Sequence, residues 1–191
     1  SIQSEALACG ACRSDGNVNH DYGAFLTNNN RITFHHNLMS GARMRNPNIN
    51  GNAFDLINNV IYNYSNYATQ IYVGFKSSAV GNIVGNWYSI GPRLGNMPET
   101  GQRPHCVFAA YEGVPTPGSG FLFYIAGNIC RHDLTGSMID NAKVLYRDNN
   151  PWPLTTPSGA PDVISAVPVN GGLSAEATDA ATAFQIASSS L

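Results

Sequence analysis

Apolar and polar positions along this chain alternate over short distances, and helical periodicity is absent until near the end. Short β-rich runs separated by Gly and Asn clusters predict strands at Arg31–His36, Phe54–Tyr62, Gln70–Gly74, Ala79–Val84, Cys106–Ala110, Phe121–Ala126 and Lys143–Tyr146. Four segments share one frame, in which an apolar run leads into an Asn and then resumes: ITFHHNLM, DLINNVIYN, NIVGNWYS and FYIAGNIC. Their aligned residues are Asn37, Asn59, Asn86 and Asn128. The first step, from Asn37 to Asn59, is 22 residues. The later steps are longer, as insertions between copies would make them. A degenerate repeat of this period predicts a β-solenoid, whose coils bury their inner faces only by stacking. Aligned Asn side chains at a turn can then hydrogen-bond as a ladder along the stack.

Two segments depart from the strand pattern. PWPLTTPSGAPDVISAVP, residues 151–168, reads as extended coil on a surface. SAEATDAATAFQIA, residues 174–187, reads as a helix with Ser174 as its N-cap, placed to cap or brace the solenoid. The expected division is therefore stacked coils over 1–150 and a tail over 151–191. The chain opens on SIQSEAL, which looks like the interior of a strand. Upstream coils are therefore expected, either in a longer protein or in a separate chain.

Composition narrows the class. Only 12% of the 191 residues are charged, the net charge is −2, and Lys76 and Lys143 are the only lysines. Polarity comes from amides, hydroxyls and glycine, which suits a secreted β protein. The balance gives no electrostatic case for nucleic acid, and no run of about 18 apolar residues predicts a membrane span. Of the four cysteines, Cys9 and Cys12 form a C-x-x-C pair, while Cys106 and Cys130 lie too far apart to complete a four-cysteine zinc site. CGACRSDGNVN reads as loop and not as the helix start of a redox motif. Two structural disulfides in an oxidising compartment are expected, with three connectivities open. Asn63-Tyr64-Ser65 is a glycosylation sequon.

The stretch from Arg31 to Ala68 resembles the pectate lyase family of polysaccharide lyases. Phe34-His35-His36-Asn37 is followed, after seven intervening residues, by Arg45-Asn46-Pro47, matching that family's F-H-H-N and R-x-P motifs, and DLINNVIYN supplies its next strand. Residues 19–23 resemble the family's H-x-x-G-type turn. The resemblance covers roughly residues 1–150 and is strongest over 31–63.

It implies an all-β, right-handed parallel β-helix, here the C-terminal part of such a domain, that cleaves polygalacturonate by β-elimination. It maps the catalytic base onto Arg45. It maps substrate contacts onto His20 and onto Tyr22, which stands where many members carry Lys. Asn48, Ile49 and Asn50 follow Arg45 where members place a second Arg, so Arg43, two residues before Arg45 on a shared strand face, is the candidate for that role. The implied cofactor is calcium. Glu5 is its mapped ligand, Asp15 and Asp21 are nearby carboxylates, and further ligands would come from upstream coils. The implied partner is an acidic, plant-type polysaccharide, with an N-terminal β-helix half or neighbouring copies as protein partners. His35 and His36, as adjacent strand residues, are expected to point to opposite faces and not to share an ion.

Two other functions compete. A polygalacturonase-type hydrolase would need opposed carboxylic acids, and the sequence has no Asp-Asp pair. A non-catalytic β-helix could bind uronic-acid polymers or serve assembly through open coil ends.

Overall fold

The computed structural model describes residues 2–3, 23–27, 31–42, 44–64, 67–72, 79–90, 105–110, 121–131, 138–139, 145–147, 150–151, 167–169, 171–173 and 175–189. The described strands are β1 (Ile2–Gln3), β2 (Phe25–Thr27), β3 (Ile32–His35), β4 (Leu38–Ser40), β5 (Asn48–Asn50), β6 (Ala53–Ile57), β7 (Val60–Tyr64), β8 (Tyr67–Tyr72), β9 (Ala79–Val84), β10 (Trp87–Ile90), β11 (His105–Ala110), β12 (Phe121–Ala126), β13 (Ile129–Arg131), β14 (Met138–Ile139), β15 (Leu145–Arg147) and β16 (Asn150–Pro151). One helix, α1 (Ala180–Ser189), follows.

From β2 to β13 the chain deals its strands into three sheets in rotation. Sheet I has the order β16-β15-β11-β8-β5-β2, sheet II β12-β9-β6-β3 and sheet III β1-β4-β7-β10-β13-β14. All neighbours are parallel except β13–β14 and β15–β16, which are antiparallel.

Register stacks like on like. In sheet II, Ile32, Phe54, Gly81 and Phe123 form one row, and Phe34, Leu56, Ile83 and Ile125 another. In sheet III, Met39, Ile61, Tyr88 and Cys130 align. These rows, with Ile49 and Ile71 of sheet I, form the buried core. Gly81 is required in its row, because a Cβ there would collide with the Phe54 ring. The Phe54 and Phe123 rings lie 6.0 Å apart on either side of that position in the row. A Cys106–Cys130 disulfide ties β11 to β13 inside the core, with the Cα atoms 6.1 Å apart. Closing a loop of that length stabilises by about 3 kcal/mol in the chain-entropy picture. It is one of the two expected bridges; Cys9 and Cys12 lie outside the described residues.

The corner between sheets II and III explains the shared Asn frame. Each corner has two residues. The first has positive φ: His36 (52°), Asn58 (51°), Gly85 (63°) and Gly127 (62°). The second is Asn37, Asn59, Asn86 or Asn128. The Asn59 amide nitrogen donates to Asn86 Oδ1 and to the Phe34 carbonyl, at 2.9 and 2.8 Å. Asn86 repeats this with Asn128 Oδ1 and the Leu56 carbonyl. Main-chain N–H groups of Asn37, Asn59 and Asn86 also donate to the next Asn Oδ1. The expected ladder is therefore present. The expected single strand Phe54–Tyr62 is two strands, because this corner divides it. The same corners start β4, β10 and β13, which strand patterning alone does not separate.

The tail packs along the flank of the sheets. The Val169 N–H donates to Asn82 Oδ1 and its carbonyl accepts from Asn82 Nδ2, at 2.8 and 3.0 Å. Thr178 makes the same two-pronged pair with the Asn58 side chain. Helix α1 then lies over β7 and β10 on the outer face of sheet III, where Phe184 stacks on Trp87 at 4.6 Å. The Arg131 guanidinium lies 5.7 Å from the Trp87 ring centre.

The helix expected to begin after Ser174 starts at Ala180. Residues 175–179 are not helical, and Thr178 instead offers both main-chain groups to Asn58. Asp179 is the N-cap: its carboxylate accepts from the Thr182 N–H at 3.0 Å and the Thr182 hydroxyl at 2.6 Å. These bonds hold its carboxyl below the usual Asp range.

Candidate functional site

Arg45 lies between β4 and β5, at the entry to sheet I. Its φ is +62°. Among the described residues, the other non-glycine positions with positive φ, His36, Asn58 and Asn63, belong to types that visit this region comparatively often. Arg does not, and the conformation costs about 1–2 kcal/mol. Neighbouring strands hold it in place. The Gly23 and Ala24 N–H groups donate to the Met44 and Arg45 carbonyls, at 3.3 and 3.0 Å. On the other side the Asn46 N–H donates to the Ala68 carbonyl at 2.6 Å, and the buried Thr69 hydroxyl returns a bond to the Asn46 carbonyl at 2.9 Å. The Asn46 side chain, also buried, donates to the Ala42 carbonyl at 3.1 Å. The Asn46–Pro47 peptide is cis. Gly23 fits closely here, since a Cβ would collide with the Asn46 side-chain oxygen. These hydrogen bonds to the next pass fall on residues 68–70, of which the sequence marks only Gln70, as the start of a strand.

Beside Arg45, sheet I presents a row in register: Phe25, Asn48, Gln70, Phe108 and Tyr146. Phe25 is 59% exposed. Asn48 and Gln70 are buried, and the Asn48 amide donates to Gln70 Oε1 at 3.0 Å. Phe25 is thus the exposed member of the row, beside two buried amides joined by one hydrogen bond. The row is invisible in the sequence, because its members are brought together by register across separate strands.

Of the sequence-selected residues, Arg45 is described and is half-buried. Glu5, Asp15, His20, Asp21, Tyr22 and Arg43 lie outside the described residues. The strand alternation assumed to relate Arg43 to Arg45 does not extend to Arg45, whose backbone is left-handed. Asn48 and Asn50, in the positions of the family's second Arg, are ordinary members of β5, and Ile49 points into the core. Among the described residues, no three His, Cys, Asp or Glu side chains are grouped to hold a metal.

His35 and His36 correct an expectation. Strand alternation predicts opposite faces, but His36 is the left-handed residue of a corner. Both rings are exposed, and their Nδ1 atoms lie 2.9 Å apart.

Other buried polar groups serve the frame. Asp55 is fully buried, accepting from Asn82 at 2.6 Å and pairing with Arg31 at 3.3 Å. Burial pushes the Tyr88 phenol well above its ordinary range, an effect that the nearby Thr69 hydroxyl partly offsets. Asn63, the sequon residue, sits where the β7–β10 register shifts: Tyr62 pairs with Ser89 and Tyr64 with Ile90. Ile61 and Tyr64 both point into the core, so Tyr62 and Asn63 together occupy the outward step between them.

No protein-family model matches the chain, and no curated protein or solved structure matches it either.

Proposed function

We propose that the chain is part of a secreted, pectate-lyase-like enzyme, and that its three sheets wind as a right-handed parallel β-helix. The rotation of strands among three sheets and the Asn ladder support the winding. The observation that carries the activity is the conformation of Arg45. A residue type that rarely enters the left-handed region is held there by bonds from both neighbouring passes, and it lies in the R-x-P motif. Such outliers persist where surrounding structure over-determines them and concentrate at functional sites.

In this reading Arg45 removes the C5 proton of a uronate residue, a C4–C5 double bond forms, and the C4–oxygen bond breaks with the leaving sugar. Arg is a base only as the neutral guanidine, a form that alkali favours. Activity should therefore rise toward alkaline pH. Calcium, when bound, neutralises the substrate carboxylate and so acidifies C5. The described residues include no ligand set for it, and Glu5 lies outside them, so no step here depends on it. The exposed Phe25 ring, on the pass before Arg45, would offer a face to the polymer.

The test is incubation of the full-length protein with polygalacturonate and calcium at alkaline pH, following the ultraviolet absorbance of unsaturated products. Product formation that Arg45→Ala abolishes is expected. Absence of product from the unmodified protein overturns the activity, and an active Arg45→Ala variant overturns the residue assignment. A second reading, binding of uronic-acid polymers without cleavage, is favoured by the exposed ring of Phe25. It predicts retained polymer binding in a protein that yields no product.

A further inference from the structure

We propose that His35 and His36 form a two-imidazole site for a divalent transition metal with cis, tetragonal coordination, namely copper(II) or nickel(II). The site is separate from Arg45 and does not depend on the lyase reading. It arises from the ladder corner. The position before each ladder Asn has positive φ, and in the chain it is occupied by His36, Asn58, Gly85 and Gly127. Only at the first corner does an imidazole stand there with a second imidazole immediately before it. The left-handed turn swings His36 back toward its neighbour, so both rings face solvent at right angles, with centres 5.2 Å apart.

The Nδ1–Nδ1 separation of 2.9 Å selects the geometry. Metal–nitrogen bonds of about 2.0–2.1 Å that span it subtend about 90°, whereas a tetrahedral ion would need roughly 3.3 Å. Right-angled imidazole pairs suit the square-planar or tetragonal preference of copper(II) and nickel(II). Among the described residues no third His, Cys, Asp or Glu completes the set, so water or a ligand from outside fills the remaining positions. The corner itself is anchored independently. The His36 N–H donates to the Ile57 carbonyl at 3.0 Å, and Asn37 is tied to Asn59. The two rings are thereby attached to a fixed backbone.

The alternative use of this geometry is one hydrogen bond between the two rings, and a single experiment separates the two. Tag-free protein is titrated with copper(II) and with nickel(II), by calorimetry and, for copper, by electron paramagnetic resonance. The variants are His35→Gln and His36→Asn. The second preserves the fold, because Asn58 already occupies the equivalent corner at φ 51°. Expected are one tight site per chain, a tetragonal copper spectrum with two nitrogen donors, and affinity lowered roughly a hundredfold in either variant once the second ligand is lost. Thermal melting of the metal-free His36→Asn protein should match the parent. Unchanged affinity in either variant would place the metal on other histidines and overturn the proposal. So would absence of stoichiometric binding, with the two rings only hydrogen-bonded to each other.

Discussion

Two kinds of turn between the sheets hold non-glycine residues in the left-handed region, and they differ in their partners and their repetition. The corner between sheets II and III occurs four times among the described residues, uses residues suited to positive φ, and follows each with an Asn that bonds to a neighbouring pass. The turn into β5 occurs once, places Arg45 in the same region against its preference, and is held by unlike partners: Gly23, Ala24, Ala68 and Thr69. The repeated turn distributes its demand over a column of equivalent bonds, which marks it as frame. The unrepeated one concentrates strain at a cation, which is why it is the turn proposed as a site.

The sharpest way to break the comparison is to remove a middle rung. Asn86 donates two hydrogen bonds and accepts two in a fully buried setting. Asn86→Ala should cost about 3–4 kcal/mol, since it strands the Asn59 N–H and the Leu56 carbonyl. Denaturant unfolding measures it, and a loss below about 1 kcal/mol would mean that the ladder decorates the stack and does not hold it. Next in size is Phe184→Ala. Removing a half-buried ring from its stack on Trp87 should cost about 2 kcal/mol and raise Trp87 solvent exposure, read by fluorescence quenching.

Arg45→Gly should behave in the opposite sense. Relief of left-handed strain and the added chain entropy of glycine nearly cancel, so stability should change by less than about 1 kcal/mol while lyase activity disappears. A large destabilisation would place Arg45 with the frame instead.

The smallest effect concerns Asp179. Its folded pKa lies below the ordinary value of 3.8, so the stability that its cap contributes is present above the unfolded pKa. That contribution is lost as pH falls through the folded value. Helical circular dichroism should fray in acid, and Asp179→Asn should remove most of that pH dependence while keeping a cap.

This contrast also explains what the sequence made legible. The ladder Asn residues could be read directly, because four copies of one frame reveal their own alignment. Ala79–Val84 and Phe121–Ala126 coincide with β9 and β12 because each is a full run in the same row of sheet II. The short strands after each corner were harder, since Leu38–Ser40 and Ile129–Arg131 are too brief to show alternation. The helix start was displaced because alanine content marks helical propensity, whereas the tertiary pair between Thr178 and Asn58 decides where the helix can begin. At the site, Arg45 was found by resemblance, and nothing local announces its left-handed backbone. Phe25, Asn48, Gln70 and Thr69 were out of reach, because they meet only through register. The His35–His36 pair was misread by the alternation rule, which fails where the strand ends.

One property of the ladder reaches beyond stability. Its rungs are separated by 22, 27 and 42 residues, yet the bonds between them are the same. The stack therefore counts passes and not residues. Sequence can be added between two rungs without shifting the alignment of the strands on either side. The chain can lengthen from pass to pass while the column keeps its place.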